Sequence, residues 1–458
     1  MGIFQQFGKY RNEYLATLTA TLSIMMVVMT NAWSSPAIPK LEADDSPIPI
    51  TEDQGSWIVA IQAVGGIFGP IITGVAADRV GRKWTLLSAV IPTSIGWILI
   101  GLGDAVGYLY AARFLFGIGY GTAYSVSPIY LGEITSDAIR GSSGTMITVL
   151  AKIGFMVMYC IGPYLEYRTL AWVSMSGPAL FVLTFMWMPE TPYYLIGKNK
   201  PEQAKESLVW FRRSSMVSDE LEIMKLSVAK SNREKGTLSE LFTRAYRNHM
   251  RIVFILVFSM QFTGILAILG YAQTIFGKIS TNLKPEEMSI VLGAVQLVAV
   301  LFPAVLVDRM GRRPLLLLST AGTTLGLLVC SVYFAIAGDD YQGNLGWIAF
   351  IALMFYIVFY GAGLATVSFA VLTEIFPKNI RTYANATFTI ASAVVIFGIV
   401  KLFQATLDNV GAYLPFGLFA LSGAISGVLI YVYIPETKGK SLDDVQRIVA
   451  RVRTADNW

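Results

Sequence analysis

The sequence predicts an all-α membrane protein in which twelve transmembrane helices form two pseudo-symmetric six-helix bundles. Three observations predict it: the composition, the succession of long apolar stretches, and a set of charged motifs that occurs twice. Of the 458 residues, 54% are hydrophobic and 14% are charged, whereas a soluble globular chain carries about 25% charged residues. An apolar fraction this large requires lipid as the surrounding medium, so the bilayer is the first partner that the sequence implies.

The apolar stretches set the positions of the spans, because a helix needs ~20 apolar residues to cross ~30 Å of hydrocarbon. The first six stretches of this length lie at roughly 14–35, 57–77, 84–103, 107–131, 142–164 and 169–188. The second six lie at roughly 251–276, 288–307, 314–336, 346–376, 382–407 and 411–434. The predicted domains are an N-terminal six-helix half (1–190), a cytoplasmic linker with short helices (191–250), a C-terminal six-helix half (251–436) and a cytoplasmic tail (437–458).

Lysine and arginine are segregated along the chain. Positive charge stays on the cytoplasmic side during insertion, because its translocation is unfavourable. If both termini are cytoplasmic, most of the 35 basic residues fall in cytoplasmic segments. The sequence therefore predicts a multi-pass plasma-membrane protein, and its net charge of +5 reflects topology rather than binding to nucleic acid. The segment from Pro36 to Gln54, rich in proline and acidic residues, is predicted to be an outer loop.

Three motifs occur in both halves in the same order. Each follows equivalent spans, which makes chance recurrence of all three very improbable and indicates two homologous six-helix units. In proteins built from such repeats the ligand site lies between the repeats, near the middle of the bilayer. The pairs are Asp78–Lys83 with Asp308–Arg313, Glu133 and Arg140 with Glu374 and Arg381, and Pro189-Glu190-Thr191 with Pro435-Glu436-Thr437.

The charged members of these motifs are candidates for a cytoplasmic gating network. Acids and bases at helix ends can pair when the inner side is closed and separate when it opens. Exposed pairs contribute only about 0 to 1 kcal/mol each, so only a network of them could hold a conformation shut. The alternative is that the charges merely follow topology. The candidates are Asp78, Arg82, Glu133, Arg140, Glu190, Asp308, Arg312, Glu374, Arg381 and Glu436.

Together with Arg113, Gly117 and the pair Gln261 and Gly264, these motifs resemble those of the sugar porter family of the major facilitator superfamily. The resemblance covers essentially the whole chain. It implies the major facilitator fold and a sugar carrier that works by alternating access, with Arg113 as the family arginine that steadies the first half. Within the family, Thr148 and the Ser34-Ser35-Pro36 end of span one are most similar to insect-type facilitated trehalose transporters.

The resemblance also implies candidate sugar contacts. Sugars are recognised by amides that match hydroxyl groups and by aromatic rings that lie on their apolar faces. Gln261 in span seven matches a sugar-contacting glutamine of the family, Tyr271 lies further along the same span, and Gln296 stands where asparagine is usual. Other contact positions differ from the family pattern: Thr148 replaces glutamine, Phe369 tryptophan, Ser392 asparagine, Met260 glutamine and Leu266 asparagine. These differences leave the substrate open.

Two lysines lie within predicted spans. Lys152 is near the middle of span five, four residues after Thr148 and therefore on the same helix face. A charge at this depth is a functional candidate by default, here as a donor to substrate hydroxyls or to an anionic group. The alternative is a structural lysine held by carbonyl groups between helices. Lys401, nearer the outer end of span eleven, is expected to extend to the membrane surface.

The same residues bear on function classes other than a sugar uniporter. Span one, from Tyr14 to Trp33, contains no Asp, Glu or His, which favours transport down a gradient over proton symport. A porter of a non-sugar solute and a non-transporting sugar sensor are further alternatives. The sequence carries no nucleotide loop, nucleophile triad or metal cluster, so we expect no enzyme activity, no cofactor and no metal. No obligate protein partner is expected.

Overall fold

The computed structural model describes residues 10–233, 237–300, 306, 309–337, 345–377, 380–440 and 442–451. Within these ranges the regular structure is helical throughout. From the N-terminus to the linker the helices are α1 (Arg11–Ala32), α2 (Ser34–Glu42), α3 (Glu52–Arg79), α4 (Arg82–Ser88), α5 (Val90–Leu102), α6 (Val106–Ile134), α7 (Arg140–Ile161), α8 (Tyr167–Ser174), α9 (Ser176–Phe185), α10 (Pro192–Gly197), α11 (Pro201–Arg212) and α12 (Ser218–Arg233).

The remaining helices follow the linker. They are α13 (Arg247–Gln261), α14 (Ile265–Gly270), α15 (Ala272–Gly277), α16 (Pro285–Ala299), α17 (Arg312–Ala337), α18 (Gly346–Ala362), α19 (Leu364–Ile375), α20 (Arg381–Asn409), α21 (Tyr413–Tyr433) and α22 (Leu442–Arg451). The predicted all-α fold is confirmed.

Nine helical stretches in the described ranges are long and apolar enough to cross a bilayer. They are Arg11–Glu42, Glu52–Arg79, Arg82–Leu102, Arg140–Tyr164, Arg244–Gly270, Arg312–Ala337, Gly346–Ile375, Tyr383–Asn409 and Tyr413–Tyr433. The other three predicted spans overlap with α6, with α8 and α9 together, and with α16. Residues 301–305 and 307, in the second part of the predicted span 288–307, lie outside the described residues. The protein is therefore a multi-pass membrane protein.

The outer end of the first span is longer than predicted. Helix α2 continues to Glu42, although Pro36 and Pro39 lie within it and the sequence predicted a loop from Pro36 onward. Proline removes a backbone donor and disfavours a helix interior. Here Ala37, Ile38 and Leu41 are fully buried on one side of α2. Burial of this face outweighs the cost of the prolines, so the predicted loop begins only after Glu42.

The chain forms two compact units. The first comprises Met1–Asn31 and Ile61–Lys235. Its helices α3 and α6 approach closely through glycine: a Cβ on Gly117 would lie 2.1 Å from the carbonyl oxygen of Gln62, and a Cβ on Gly121 would lie 2.7 Å from that of Gly66. Small residues at such positions allow helices to pack backbone to backbone in lipid.

The linker helices α10, α11 and α12 belong to the first unit and have an apolar core of their own. Leu208, Leu221 and Met224 are buried in it together with Leu195 and Ala204. Arg212 at the end of α11 connects this core to the spans, because its guanidinium lies 3.0 Å from the Glu13 carboxylate and donates to the carbonyl oxygen of Ile134 at 2.8 Å. The linker is thus a folded element with fixed contacts rather than a solvated tether.

The second unit comprises Ala32–Ala60 and Gly236–Trp458. Its helix α17 packs along both α18 and α21. Gly326 on α17 lies against α18, since a Cβ there would meet the Ala352 carbonyl oxygen at 2.8 Å. Helix α22 near the C-terminus returns to α13, where the Asn248 side chain donates to the Val449 carbonyl oxygen at 3.2 Å.

Candidate functional site

In the first unit, Thr148 and Lys152 lie on α7 with partly exposed side chains, whereas Leu150 and Ala151 are buried. The Thr148 hydroxyl donates to the carbonyl oxygen of Thr145 at 2.7 Å. The Lys152 ammonium lies 5.5 Å from the centroid of the Phe155 ring, within cation–π range. The two side chains share a helix face. They are the residues of the first unit that the sequence predicts as substrate contacts.

A polar contact that sequence reasoning missed joins α3 to α1. Gln62 is buried, and its Nε2 donates to the Thr30 hydroxyl at 3.0 Å. Its Oε1 is also buried and lacks a hydrogen-bond partner in the part of the chain that the structure describes. Glutamine inside an apolar span is the signal that could have identified it.

Arg113 is fully buried on α6 and also contacts α1. Its guanidinium donates to the carbonyl oxygen of Thr30 on α1 at 2.5 Å. A buried guanidinium needs such partners, because leaving a charged donor unsatisfied in an apolar interior costs several kcal/mol. The role that the resemblance implied for Arg113, which is to steady the first half, stays a prediction.

In the second unit, span seven is broken at Gly264, three residues after Gln261. Gly264 has φ +73°, and a Cβ there would lie 2.1 Å from the Phe419 ring, so only glycine fits. Helix α13 therefore ends at Gln261, whose side chain is 8% exposed. Tyr271 lies at the next break, between α14 and α15, with its ring centroid 5.6 Å from that of Phe403.

The other candidate contacts of the second unit lie on α16, α19 and α20. Gln296 on α16 is 2% exposed, and Ser392 on α20 is also buried. Phe369 on α19 differs from them, because its side chain is 48% exposed and packs edge-on against Phe388 at 5.2 Å between ring centroids. Helix α20 packs against both α13 and α14.

Several buried polar atoms of the second unit lack a hydrogen-bond partner among the described residues. They include the Oγ atoms of Ser392 and Ser368 and the Nε2 of Gln273. A buried group without a partner costs about 1 to 3 kcal/mol, so each such group marks a place where a polar ligand would be stabilising. Sequence reasoning missed Ser368 and Gln273, and polar side chains in otherwise apolar spans are again the signal.

The charged helix ends of the first unit are paired with one another. Arg82 donates to Glu133 at 3.1 Å, and the Thr191 hydroxyl donates to the other oxygen of Glu133 at 2.5 Å. Glu190 accepts the backbone N–H of Arg82 at 3.1 Å. Asp78 lies 3.4 Å from Arg82, whereas Arg140 pairs with Asp137 at 2.7 Å and lies apart from Glu133.

The same arrangement occurs in the second unit. Arg312 donates to Glu374 at 2.9 Å, Thr437 donates to the other Glu374 oxygen at 2.5 Å, and Glu436 accepts the backbone N–H of Arg312 at 3.0 Å. Arg381 donates to the carbonyl oxygen of Phe376 at 3.0 Å. Asp308 lies outside the described residues. A cavity of about 360 Å³ opens beside these groups, lined by Arg312, Thr373, Glu374, Arg381, Thr437, Gly439, Lys440 and Val445.

The repeated motif depends on a glycine in each unit. Gly81 and Gly311 have φ of +105° and +91°, and a Cβ would lie 2.1 Å from the Glu190 carboxylate and 2.8 Å from the Glu436 carboxylate. The sequence repeat therefore encodes a repeated local structure, in which a glycine turn presents backbone N–H groups to a glutamate.

Comparison with known families decides the class to which this arrangement belongs. The family model described as "Sugar (and other) transporter" matches residues 9–449. The chain belongs to this family. The predicted membership of the sugar porters is thereby confirmed.

Curated members of the sugar transporter family match along nearly the whole chain. The facilitated trehalose transporter Tret1 of Apis mellifera ligustica is 29% identical over 446 residues, which cover 96% of this chain and 88% of that protein. Tret1 of Anopheles gambiae is 30% identical over 451 residues, and Tret1-1 of Drosophila simulans is 30% identical over 448 residues. The chain spans only about half the length of these two relatives, 56% and 52%.

Solved structures of the xylose transporter XylE share the fold of this family member. The proton:xylose symporter XylE bound to 6-bromo-6-deoxy-D-glucose superposes with a TM-score of 0.77 at 22% identity, covering 96% of this chain and 99% of that chain. XylE from E. coli in an inward open conformation gives a TM-score of 0.80 at 22% identity, covering 95% and 99%. The major facilitator fold is confirmed.

Proposed function

We propose that this member of the sugar transporter family carries a sugar across the membrane by alternating access, as a facilitative carrier. The observation that carries the proposal is the set of buried amide and hydroxyl side chains on the broken span seven and its neighbours, in a chain whose family is that of sugar transporters. Gln261 and Gln296 are its central members. Trehalose, glucose or a related carbohydrate is the proposed substrate, and the named activity of the Tret1 relatives supports trehalose.

The chemistry of these buried groups supports a ligand rich in hydroxyls. A carboxamide both donates and accepts, so it can satisfy a hydroxyl in either role. The serine and glutamine atoms that lack a protein partner in the described ranges would gain one from such a ligand. The ring of Tyr271, packed near Phe403, offers an aromatic surface beside them.

The placement of the acidic residues supports facilitative transport. In the described spanning helices, the acids lie in first or last turns rather than in the middle of a span. Glu13, the acid at the start of α1, accepts the backbone N–H of Ser136 at 2.7 Å and pairs with Arg212. A proton-coupling group needs to titrate within the transport pathway. Proton-coupled symport is the alternative.

A second candidate substrate class is an anionic or otherwise non-sugar solute, and Lys152 is the observation that favours it. Its ammonium lies on the same partly exposed face of α7 as Thr148. A cation at mid-membrane depth would stabilise a carboxylate or phosphoryl group far more than a neutral hydroxyl.

The proposal includes the predicted topology and site assignments. We propose a plasma-membrane location with both termini cytoplasmic, residues 1–190 and 251–436 as the two repeats, and 191–250 and 437–458 as cytoplasmic segments. The paired charges at the helix ends then face the cytoplasm as a gating network, supported by the matching arginine–glutamate pairs in the two units. Lipid and a small sugar are the proposed partners.

Uptake into proteoliposomes tests the substrate. Labelled trehalose, glucose and fructose are offered to reconstituted protein at symmetric pH and again with an inward proton gradient, with protein-free vesicles as the control. Uptake at symmetric pH supports a facilitative sugar carrier, and uptake only with the gradient supports symport. If folded protein admits no sugar under either condition but admits a sugar acid or sugar phosphate, the Lys152 alternative is favoured. Sugar binding without uptake would indicate a sensor.

A further inference from the structure

The outer segment Ala32–Ala60, which the sequence assigns to the first repeat, lies in the second compact unit. It contains α2 and the first nine residues of α3, from Glu52 to Ala60. Helix α2 packs against α15, and the Ser35 hydroxyl accepts the backbone N–H of Gln273 at 3.3 Å. A Cβ on Gly270 would lie 3.2 Å from Val59, so this contact is tight.

Lys401 on α20 is the charged anchor of this packing. Its ammonium lies 2.7 Å from the Asp53 carboxylate and 2.6 Å from the Ser56 hydroxyl. The same ammonium lies 4.5 Å from the centroid of the Trp57 ring. Trp57 also packs on Phe397, one turn before Lys401 on α20, at 5.7 Å between centroids. One lysine thus contacts three side chains in the first two turns of α3.

Lys401 makes more contacts here than the lysine of an ordinary surface ion pair. An exposed pair contributes about 0 to 1 kcal/mol. The Lys401 side chain, however, is only 25% exposed, and it combines a charge-assisted hydrogen bond with a cation–π contact. The sequence predicted that Lys401 would extend to the outer surface, but it gave no sign that a fixed partner would meet the lysine there.

The position of the Lys401–Asp53 ion pair sets it apart from the other ion pairs of the described chain. Those pairs lie in the linker or at the helix ends that the topology places in the cytoplasm, such as Arg82 with Glu133 and Arg312 with Glu374. Lys401 and Asp53 lie at the opposite ends of the spans. Nearby, Gln404, one turn after Lys401, donates to Asp408 at 2.8 Å.

We propose that Lys401 is an outer gating residue: by holding Asp53, Ser56 and Trp57 it docks the outer segment 32–60 on the C-terminal repeat, and this docking must be released before the outer entrance can open. The inference rests on the proposed alternating-access transport, because outward opening requires the first repeat to move away from the second on the outer side. Lys401 then biases the equilibrium between outer-closed and outer-open states.

Sided thiol labelling tests this role without substrate. Val59→Cys places a reporter in the docked contact, in a background where Cys160 and Cys330 are replaced by serine, and a membrane-impermeant maleimide is added from outside. We expect Lys401→Met to raise the labelling rate at least about fivefold. Arg168→Met is the matched control, since Arg168 is a basic residue of the first unit that donates to the Gly103 carbonyl at 3.1 Å and lies outside the segment.

A charge exchange separates an ion-pair latch from simple packing. Asp53→Lys and Lys401→Asp should each raise labelling, and the two together should lower it again towards the parent rate. If Lys401→Met does not fold, Asp53→Asn carries the same test, because the Asp53 side chain is 75% exposed. Labelling that is unchanged in folded Lys401→Met protein with normal sugar uptake overturns the latch alone. Absent uptake by the folded parent protein, together with fivefold faster labelling of the Lys401→Met variant, overturns the transport proposal and leaves the docking contact standing.

Discussion

Single buried polar side chains carry the proposed substrate recognition. Gln261 ends α13 because Gly264 adopts a conformation that other residues resist. The family resemblance predicted Gln261 as a sugar contact. The break at Gly264 was not predicted, because the apolar stretch 251–276 predicted one continuous span.

Replacing Gln261 with alanine tests its role as a sugar contact. We expect sugar uptake to fall by roughly 2- to 10-fold for each hydrogen bond lost, since one bond contributes about 0.5 to 1.5 kcal/mol. Surface expression should not change. Gln203→Ala on the exposed face of α11 is the matched control. Uptake by Gln261→Ala equal to that of the parent would remove Gln261 from the site.

The paired charges at the helix ends occur in both units, but the equivalent glutamates Glu190 and Glu436 differ in their pKa. Burial raises the pKa of Glu436, but the N–H groups of Lys438, Arg312 and Arg313 outweigh it, so the pKa lies below its ordinary value. At the equivalent Glu190, burial outweighs the N–H donors, and the pKa is raised. The second unit therefore holds its glutamate charged more firmly than the first.

The pH dependence of stability reports this difference. Because the pKa of Glu436 is lowered in the folded protein, its stabilisation is present above the unfolded pKa of about 4.3 and is lost as the pH falls through the folded value. Glu436→Gln should therefore reduce the free energy of unfolding by about 1 kcal/mol at pH 7, and by less below pH ~4. Thermal unfolding in detergent measures it. An equal loss at both pH values would contradict the assignment.

The linker helices offer a second test at the element scale. Arg212→Met leaves the buried Glu13 carboxylate without its cationic partner, and breaking a buried pair costs about 3 to 5 kcal/mol. We expect limited proteolysis of the linker to become at least about tenfold faster. Lys205→Met, on the exposed side of the neighbouring helix turn, is the control. If both variants are cleaved at the parent rate, Arg212 does not hold the linker.

The helices were predictable where length and apolar composition determine them, but not where they depend on tertiary contacts. Each predicted span overlaps a helix in the described residues, since an apolar stretch in lipid has few alternatives. Residues 301–305 and 307 of the predicted span 288–307 lie outside the described residues. The continuation of α2 to Glu42 was missed, because it depends on what buries Ile38 and Leu41. The partner of Lys401 was missed for the same reason: Asp53 is 348 residues away in sequence. Family resemblance supplied the candidate Gln261, but not the unpartnered Ser368 or Gln273.

At the scale of the whole molecule, the sequence repeat, the two matched charge clusters and the family assignment point to one mechanism. In the proposed mechanism, two homologous bundles that carry the same glycine turn and glutamate acceptor alternate between two arrangements. A carrier of this kind binds at one side at a time and needs no energy source to equilibrate its substrate. Exchange of sugar across the membrane without any gradient is the direct consequence.

Entrance counterflow is the measurement that tests this account most directly. Proteoliposomes are loaded with unlabelled trehalose or glucose and diluted into a trace of the same labelled sugar at symmetric pH, with no ion gradient. We predict that labelled sugar transiently accumulates in the vesicles above its equilibrium level, because the carrier brings labelled sugar in while it carries unlabelled sugar out. Label that only rises slowly to equilibrium, or does not enter protein-containing vesicles faster than empty ones, would contradict facilitative sugar transport by this chain.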